Sequence, residues 1–202
     1  MINFNKIIIP TYSNKDIERI ISEKITSIGD HPPIEVDLIA EKLGFDLIPL
    51  HGIKNISSTD AYLSIDKNEI AFDPDVVPVR IRFSIAHELG HYFLHYDIIK
   101  EIRFMNYDEW KSQLNNIPGW FWGKVETQAN LFAGILLAPR ELIISCIPLF
   151  KDQLKLAKKH IPDDIDSVRE YLAVPLARKF EVSDDVMRIR LSREKINPFH
   201  YI

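Results

Sequence analysis

The fold is decided by the stretch RFSIAHELGHYFLH, residues 82–95, whose centre fits the pattern H-E-x-x-H. Residues four apart lie one above the other on a helix face, so His87 and His91 can offer imidazole nitrogens to one metal ion. Glu88 projects beside them, where its carboxylate can take a proton from an activated water. The pattern predicts a metal-dependent hydrolase, although taken alone it also fits a helix with two surface histidines.

The residues around the motif favour the functional interpretation. The helix predicted over about residues 79–94 is apolar almost all round, which is typical of a buried helix. Burying His87, Glu88 and His91 costs free energy unless each group has a partner, and a metal ion supplies that partner. The apolar residues that repeat along one line of this helix are Ile81, Ile85, Leu89 and Tyr92.

The composition is that of a soluble globular protein. Of 202 residues, 46% are hydrophobic and 27% charged, and the net charge of −4 argues against direct binding of nucleic acid. The single cysteine, Cys146, can form no internal disulfide, and its apolar surroundings predict a buried side chain. Neither a signal peptide nor a run of about 20 apolar residues is found, so we expect a cytoplasmic protein without a membrane segment.

Periodicity and turn residues predict the remaining elements of an α+β protein. A hairpin is indicated by alternating residues 61–65 and 69–72 on either side of a three-residue polar turn. The C-terminal part is predicted to be helical, with Ser183 capping the last helix. Helices are predicted at 16–28, 35–43, 108–114, 124–137, 139–146, 151–160, 164–172 and 174–180, and a strand at 45–49.

A catalytic zinc site needs a third protein ligand. His95 lies eight residues from His87, about 12 Å along a straight helix. One ion therefore cannot be bound by His87, His91 and His95 at the same time. Glu126 follows His91 by 35 positions (126 − 91) on a separate predicted helix with its own apolar face, and it is the preferred candidate. The alternative for Glu126 is an exposed residue in the first turn of that helix. Asp97, Glu101 and Asp108 are weaker candidates.

Further residues are candidates for supporting or substrate-binding roles. Asn130 lies four residues after Glu126 on the same helical side and could hydrogen-bond a ligand. The segment Trp120–Trp122, placed just before the predicted helix, fits either core packing or the wall of a substrate groove. A strand of the hairpin could bind an extended substrate by strand addition. Candidate oxyanion donors, among which the sequence does not choose, are Tyr62, Tyr92, His95 and Arg140.

Two motifs together, RFSIAHELGHYFLH and ETQANLFAGILLAP, resemble the ImmA/IrrE family of zinc metallopeptidases. The resemblance covers about residues 34–141. It implies one zinc ion per chain, held by His87, His91 and Glu126, with Glu88 as the catalytic base. It also implies a zincin-like, gluzincin-like core in residues 1–150, with a small antiparallel sheet or hairpin and the buried motif helix. Residues 151–202 are then a helical C-terminal extension packed on that core.

The resemblance further implies a biological role. Members of the family are typically bacterial or carried on phages and other mobile elements, and they often cleave a helix-turn-helix repressor of the xenobiotic-response-element type. Because the chain begins directly at the peptidase region, we expect the repressor to be a separate protein. The competing interpretations are a metal-stabilised, antitoxin-like regulatory protein that does not cleave its partner and, less favoured, a DNA-binding regulator.

Overall fold

A computed structural model describes part of the chain in detail and divides it into two compact units. One unit consists of Met1–Ser27 and Glu35–Ala133, and the other of Ile28–Ile34 and Gly134–Ile202. The proposed functional division at residue 150 stays a prediction. The residues described are 4–25, 29–54, 59–102, 117–160 and 164–202, without the side chains of residues 5, 101 and 102.

Two short helices open the first unit after a 3-10 turn at Phe4–Lys6. Helix α1, Asn14–Lys24, begins at a capping box in which Ser13 and Asp16 bond each other's backbone amides. This helix is shorter than predicted, and residues 26–28 of the prediction lie outside the described residues. Helix α2, Val36–Lys42, is followed by Gly44 in the left-handed region, as its position after a helix end predicts.

A three-stranded sheet follows, with the strand order β1-β3-β2. Strands β2, Ala61–Ser64, and β3, Glu69–Phe72, form the predicted antiparallel hairpin. Strand β1, Asp46–Pro49, pairs with β3 in parallel. The sheet is therefore mixed, whereas the sequence predicted only antiparallel pairing, because a parallel partner is joined by a long connection that leaves no local turn signal.

The motif helix α3, Pro78–Ile102, packs against α2, β2 and β3. It is about two turns longer than predicted, since no glycine or proline follows to end it and Ile98 continues its buried face. Residues 103–116, which include the predicted helix at 108–114, lie outside the described residues. Helix α4, Gly119–Leu137, begins five positions before its predicted start.

The earlier start of α4 places the aromatic segment inside the helix and not before it. Phe121 is fully buried in a cluster that also contains Val125 of α4 and Ile98 of α3. The partly buried Trp122 packs against this cluster, whereas Trp120 is 58% exposed. The segment therefore divides between the core and the surface.

The second unit is helical among its described residues. Helices α5, Arg140–Cys146, and α6, Lys151–His160, are followed by α7, Ile165–Phe180, and α8, Asp184–Arg193. Short 3-10 turns lie at Ile147–Phe150 and Pro198–Tyr201. As predicted, Ser183 caps the last helix and Cys146 is a buried free thiol.

The prediction of two helices at 164–172 and 174–180 was wrong, because α7 continues through Pro175. Proline cannot donate to the carbonyl four residues earlier, but residue 171 is exposed, so water can satisfy its carbonyl. Within the described residues no single helix is long and apolar enough to cross a membrane, although α4 with the segment Arg140–His160, bent by 42°, passes the length and composition criteria as a pair. The described ranges are mostly helical with one small sheet, which confirms the predicted α+β class.

Candidate metal centre

Three side chains from two helices converge on one point in the first unit. His87 and His91, one turn apart on α3, bring their Nε2 atoms to 2.9 Å from each other. Glu126 of α4 places Oε2 3.2 Å from Nε2 of His87 and Oε1 3.1 Å from Nε2 of His91. The structure thus brings together the three residues that the sequence singled out as ligands.

This donor set fits a divalent metal ion. Around a tetrahedral zinc, nitrogen and oxygen ligands about 2.1 Å from the ion lie about 3.4 Å from one another, within a few tenths of an ångström of the separations found here. All three potential ligand atoms lie within 4.8 Å of one another. The side chains of His87 and Glu126 are 14% and 31% exposed, so one side of the centre is open to solvent.

Hydrogen bonds on the far side of each imidazole hold the two histidines in place. Nδ1 of His87 lies 2.9 Å from Oδ1 of Asn130, and the ring can donate to this amide oxygen. Nδ1 of His91 lies 3.3 Å from Nδ1 of His95. Partners of this kind orient ligand histidines and leave Nε2 available for the ion. Asn130 and His95 therefore each contact one of the two histidines, and the supporting roles suggested for them stay predictions.

The charges of the centre are mutually dependent. Burial acts to raise the pKa of Glu126, but the contacts with His87 and His91 outweigh it and leave that pKa well below its usual value. Burial acts to lower the pKa of His87, but the hydrogen bond with Glu126 and the charges of Glu88 and Glu126 raise it. Burial and the neighbouring His91 lower the pKa of His95 to about 4, so His95 is neutral near pH 7. A carboxylate is thus already ionised where a cation would bind.

Glu88 is buried beside the two histidines, with 8% of its surface exposed. Its carboxylate accepts a hydrogen bond from the backbone amide of Leu63 in β2, which ties the motif helix to the sheet. Burial raises the pKa of Glu88, although the charges of His91 and His87 oppose this effect. A carboxyl group with a raised pKa is suited to taking up and releasing a proton near neutral pH.

The other candidates are distributed around the unit or outside it. The ring of Tyr92 packs edge-on against Phe45, 4.9 Å between centroids, while Tyr62 is buried on β2. Arg140 forms an ion pair with Glu194. Asp97 is exposed, and the side chains of Glu101 and Asp108 lie outside those described. None of these contacts supports a role in metal binding, and the roles suggested for Tyr92 and Tyr62 stay predictions.

Sequence reasoning missed Gln128 near the centre and left the role of Trp122 open between core packing and a groove wall. Gln128 is only 6% exposed, and its Oε1 lies 2.8 Å from Nε2 of His95. A polar residue between apolar positions of α4 was the available signal. The ring of Trp122 lies nearly parallel to that of His91, with 6.1 Å between centroids, so it borders the site from the side of Glu126.

Comparison with known proteins assigns the family. Residues 40–192 match the IrrE N-terminal-like domain, the family called Peptidase_M78. A solved structure named "Mycobacterium tuberculosis transcriptional regulator" is similar over 89% of this chain, with a TM-score of 0.53 and 19% sequence identity. The chain spans about half of that protein, 46% of its length. No curated protein matches the sequence.

The similarity to the solved structure concerns the fold, whereas the family match covers most of this chain and includes both motifs. Membership of this family implies a function of the metallopeptidase type. The residues brought together at the candidate metal centre belong to the matched region. The predicted resemblance is confirmed: the chain belongs to the Peptidase_M78 family, defined by the IrrE N-terminal-like domain.

Proposed function

We propose that this protein is a zinc-dependent endopeptidase that cleaves a helix-turn-helix transcriptional repressor at a specific site. The observation that carries the proposal is the convergence of His87, His91 and Glu126 with Glu88 buried beside them. A structural zinc site uses four protein ligands and needs no base, whereas a catalytic site has three and an adjacent general base.

One zinc ion is expected per chain, with His87, His91 and Glu126 as its ligands. Two neutral imidazoles and a carboxylate suit zinc well, although other divalent metals bind such sets. When bound, the ion supplies Lewis-acid activation of water and polarisation of the substrate carbonyl. Asn130 and His95 contact the imidazoles at their Nδ1 atoms, which would leave Nε2 of each ring to hold the ion.

Glu88 acts as the general base and then as the general acid. Its carboxylate takes a proton from the attacking water as the water oxygen forms a bond to the peptide carbon. The same proton then passes to the nitrogen of the leaving amine as the peptide bond breaks. The hydrogen bond from the amide of Leu63 holds one side of the carboxylate in place during both transfers.

The substrate is expected to bind as an extended segment along β2. This strand ends the sheet among the described residues, and the amide of Leu63 points away from β3 towards Glu88. An added strand of substrate would place its backbone beside the general base, with side-chain pockets providing specificity. A repressor with a flexible loop satisfies this requirement.

Several observations support a repressor as the substrate. The family resemblance implies one, and the similar solved protein is itself named a transcriptional regulator. The net charge of −4 favours a protein partner over direct contact with nucleic acid. The absence of disulfide pairs is compatible with action in the cytoplasm, where such a repressor is found.

The test is incubation of the zinc-loaded protein with a repressor encoded in the same genomic neighbourhood. Cleavage at one position by the native chain, with loss of more than 100-fold in rate for Glu88→Gln and retention of one zinc per chain, supports the proposal. Retention of cleavage in Glu88→Gln contradicts the assigned base. Tight binding of the repressor without cleavage by the native chain contradicts the enzyme and indicates a regulatory binding protein.

A further inference from the structure

A line of hydrogen bonds runs from the candidate metal centre to the N-terminal segment. It begins at His91, continues through His95 of α3 and Gln128 of α4, and ends at the carbonyl of Pro10. The three separations are 3.3 Å, 2.8 Å and 2.6 Å. His91, His95 and Gln128 are 5%, 1% and 6% exposed, so water does not compete for these bonds.

The direction of every bond follows from the last one. The carbonyl of Pro10 can only accept, so the amide nitrogen of Gln128 must donate to it. The oxygen of the same amide then faces His95 and accepts from its Nε2–H. A neutral imidazole carries one proton, so Nδ1 of His95 is an acceptor and receives the Nδ1–H of His91. In a neutral His91 this arrangement leaves Nε2 without a proton, and the 3.1 Å contact of that atom with Oε1 of Glu126 is then one that a shared cation would complete.

We infer that Pro10, Gln128 and His95 form a positioning relay that fixes His91 as the tautomer able to bind metal through Nε2. The inference rests on the proposed function, because it concerns a ligand of the proposed zinc ion. Rotating the amide of Gln128 would place its oxygen against the carbonyl oxygen of Pro10 and leave that carbonyl without its donor, which costs free energy. The relay therefore has one favourable direction, and that direction prepares His91 before the ion arrives.

The N-terminal segment that supplies Pro10 is anchored at several points. Nζ of Lys124, one turn before Gln128 on α4, donates to the carbonyl of Ile9. The hydroxyl of Tyr12 donates to the carbonyl of Leu94, and Ile9 is buried in the cluster around Phe121. This segment lies outside the matched family region, residues 40–192. A part of this chain beyond the family domain thus contributes to the order of the metal site.

The experiment compares Gln128→Met with Lys124→Met. Both substitutions remove one side-chain bond from α4 to the N-terminal segment, but only the first interrupts the line to His91. Nitrogen-15 spectra of metal-free protein report the imidazole tautomers, and competition with a chromophoric chelator reports zinc affinity. We expect the native chain and Lys124→Met to hold His91 protonated at Nδ1. In Gln128→Met the Nε2–H tautomer of His91 becomes populated and zinc affinity falls by about 10- to 100-fold.

Further variants keep the inference testable if Gln128→Met does not fold. His95→Gln interrupts the same line, and the double variant with Gln128→Met should lose no more zinc affinity than one single variant. Nδ1 protonation of His91 that survives both substitutions, or equal losses in Lys124→Met and Gln128→Met, overturns the relay. Because the tautomer is measured without metal or substrate, this outcome is distinct from a failure of the proposed peptidase activity.

Discussion

Gly90 of α3 lies directly against Ala129 of α4. A Cβ atom added at Gly90 would lie 3.1 Å from both the Cα and the carbonyl oxygen of Ala129, closer than ordinary side-chain contacts. Gly90 precedes the candidate ligand His91, and Ala129 follows the candidate ligand Glu126 by three residues. The glycine within HELGH therefore allows the two helices to approach closely enough for His91 and Glu126 to meet.

Replacing Gly90 with alanine should force α3 and α4 apart. The added methyl group meets backbone, which cannot move aside as a flexible side chain does, so we expect a loss of about 1–3 kcal/mol in the free energy of unfolding. Zinc affinity should fall at least tenfold because Glu126 moves away from the histidines. Urea unfolding and chelator competition measure the two effects.

The matched control is Gly134→Ala on the same helix. Its added Cβ would lie 3.4 Å from the Cδ of Arg190, a side-chain atom, and alanine favours a helix over glycine by up to about 1 kcal/mol. Stability should be unchanged or slightly higher. A Gly90→Ala variant as stable and as tight a zinc binder as the native chain would show that the close approach is not required.

Trp122 should report metal binding through its fluorescence. Its ring lies 6.1 Å from that of His91, so a cobalt ion bound in place of zinc will quench its emission. We expect Trp122→Phe to lose most of the cobalt-dependent quenching, whereas Trp120→Phe, which removes the exposed neighbour, should retain it. Undiminished quenching in Trp122→Phe would place the bound ion elsewhere.

Asp73 should make the stability of the chain depend on pH in acid. Backbone amides of Lys54 and Asp75 donate to its carboxylate and lower its pKa below the ordinary value of 3.8. Because the pKa is lowered in the folded state, the carboxylate stabilises the fold fully above pH 3.8. This stabilisation is lost as the pH falls through the lower pKa of the folded state. Asp73→Asn should therefore reduce the melting temperature by about 2–5 °C at pH 7 and by much less near pH 3.

Exposed Asp66, in the turn between β2 and β3, provides the control for this pH dependence. Asp66→Asn should follow the native profile at every pH, because the exposed turn residue is replaced by one of similar size and turn preference. A difference between Asp73→Asn and the native chain that stays constant from pH 7 to pH 3 would contradict the role of the carboxylate charge. Thermal melts followed by circular dichroism supply both profiles.

The second unit depends on a buried ion pair. Arg190, 1% exposed, donates from Nη1 to Glu194 at 2.7 Å and from Nε to the carbonyl of Ala138 at 3.0 Å. Glu194→Ala leaves the buried guanidinium of Arg190 without its carboxylate partner. We expect the free energy of unfolding to fall by about 3 kcal/mol. The matched control is Asp185→Ala, at an exposed position of the same helix. It removes the ion pair with Arg188 and should lower the free energy of unfolding by less than about 1 kcal/mol.

Denaturant unfolding of the two variants distinguishes them. The double variant Arg190→Met with Glu194→Leu should recover most of the stability lost in Glu194→Ala, because an apolar pair needs no compensating charge. Equal, small losses in Glu194→Ala and Asp185→Ala would mean that Arg190 finds sufficient partners without Glu194.

Local patterns predicted the parts of the structure that depend on neighbouring residues. The hairpin turn at residues 66–68 and the apolar face of α3 are each encoded within one segment, so their strands and helix were found. The pairing of β1 with β3 depends on segments far apart in the chain and left no local signal. Pro175 was predicted to separate two helices. The free energy that a proline costs within a helix depends on its tertiary surroundings, and these cannot be read from the periodicity of the sequence.

The candidate site shows the same division. His87, Glu88 and His91 follow from spacing on one helix, and Glu126 was proposed from the apolar face of a second. Gln128 could not be assigned, since its role depends on the carbonyl of Pro10, 118 positions away along the chain. Contacts of that range are fixed by the folded arrangement alone.

The position of Glu126 on a different helix from His91 also has a topological consequence. An ion held by both residues closes the chain between them into a loop of 35 positions (126 − 91), as a disulfide bond would. Closing a loop of this size removes conformational entropy from the unfolded chain worth about 3–4 kcal/mol, a contribution that involves no contact in the folded state. Zinc would then act as a reversible cross-link, and its removal would weaken the whole first unit as well as abolish the proposed activity.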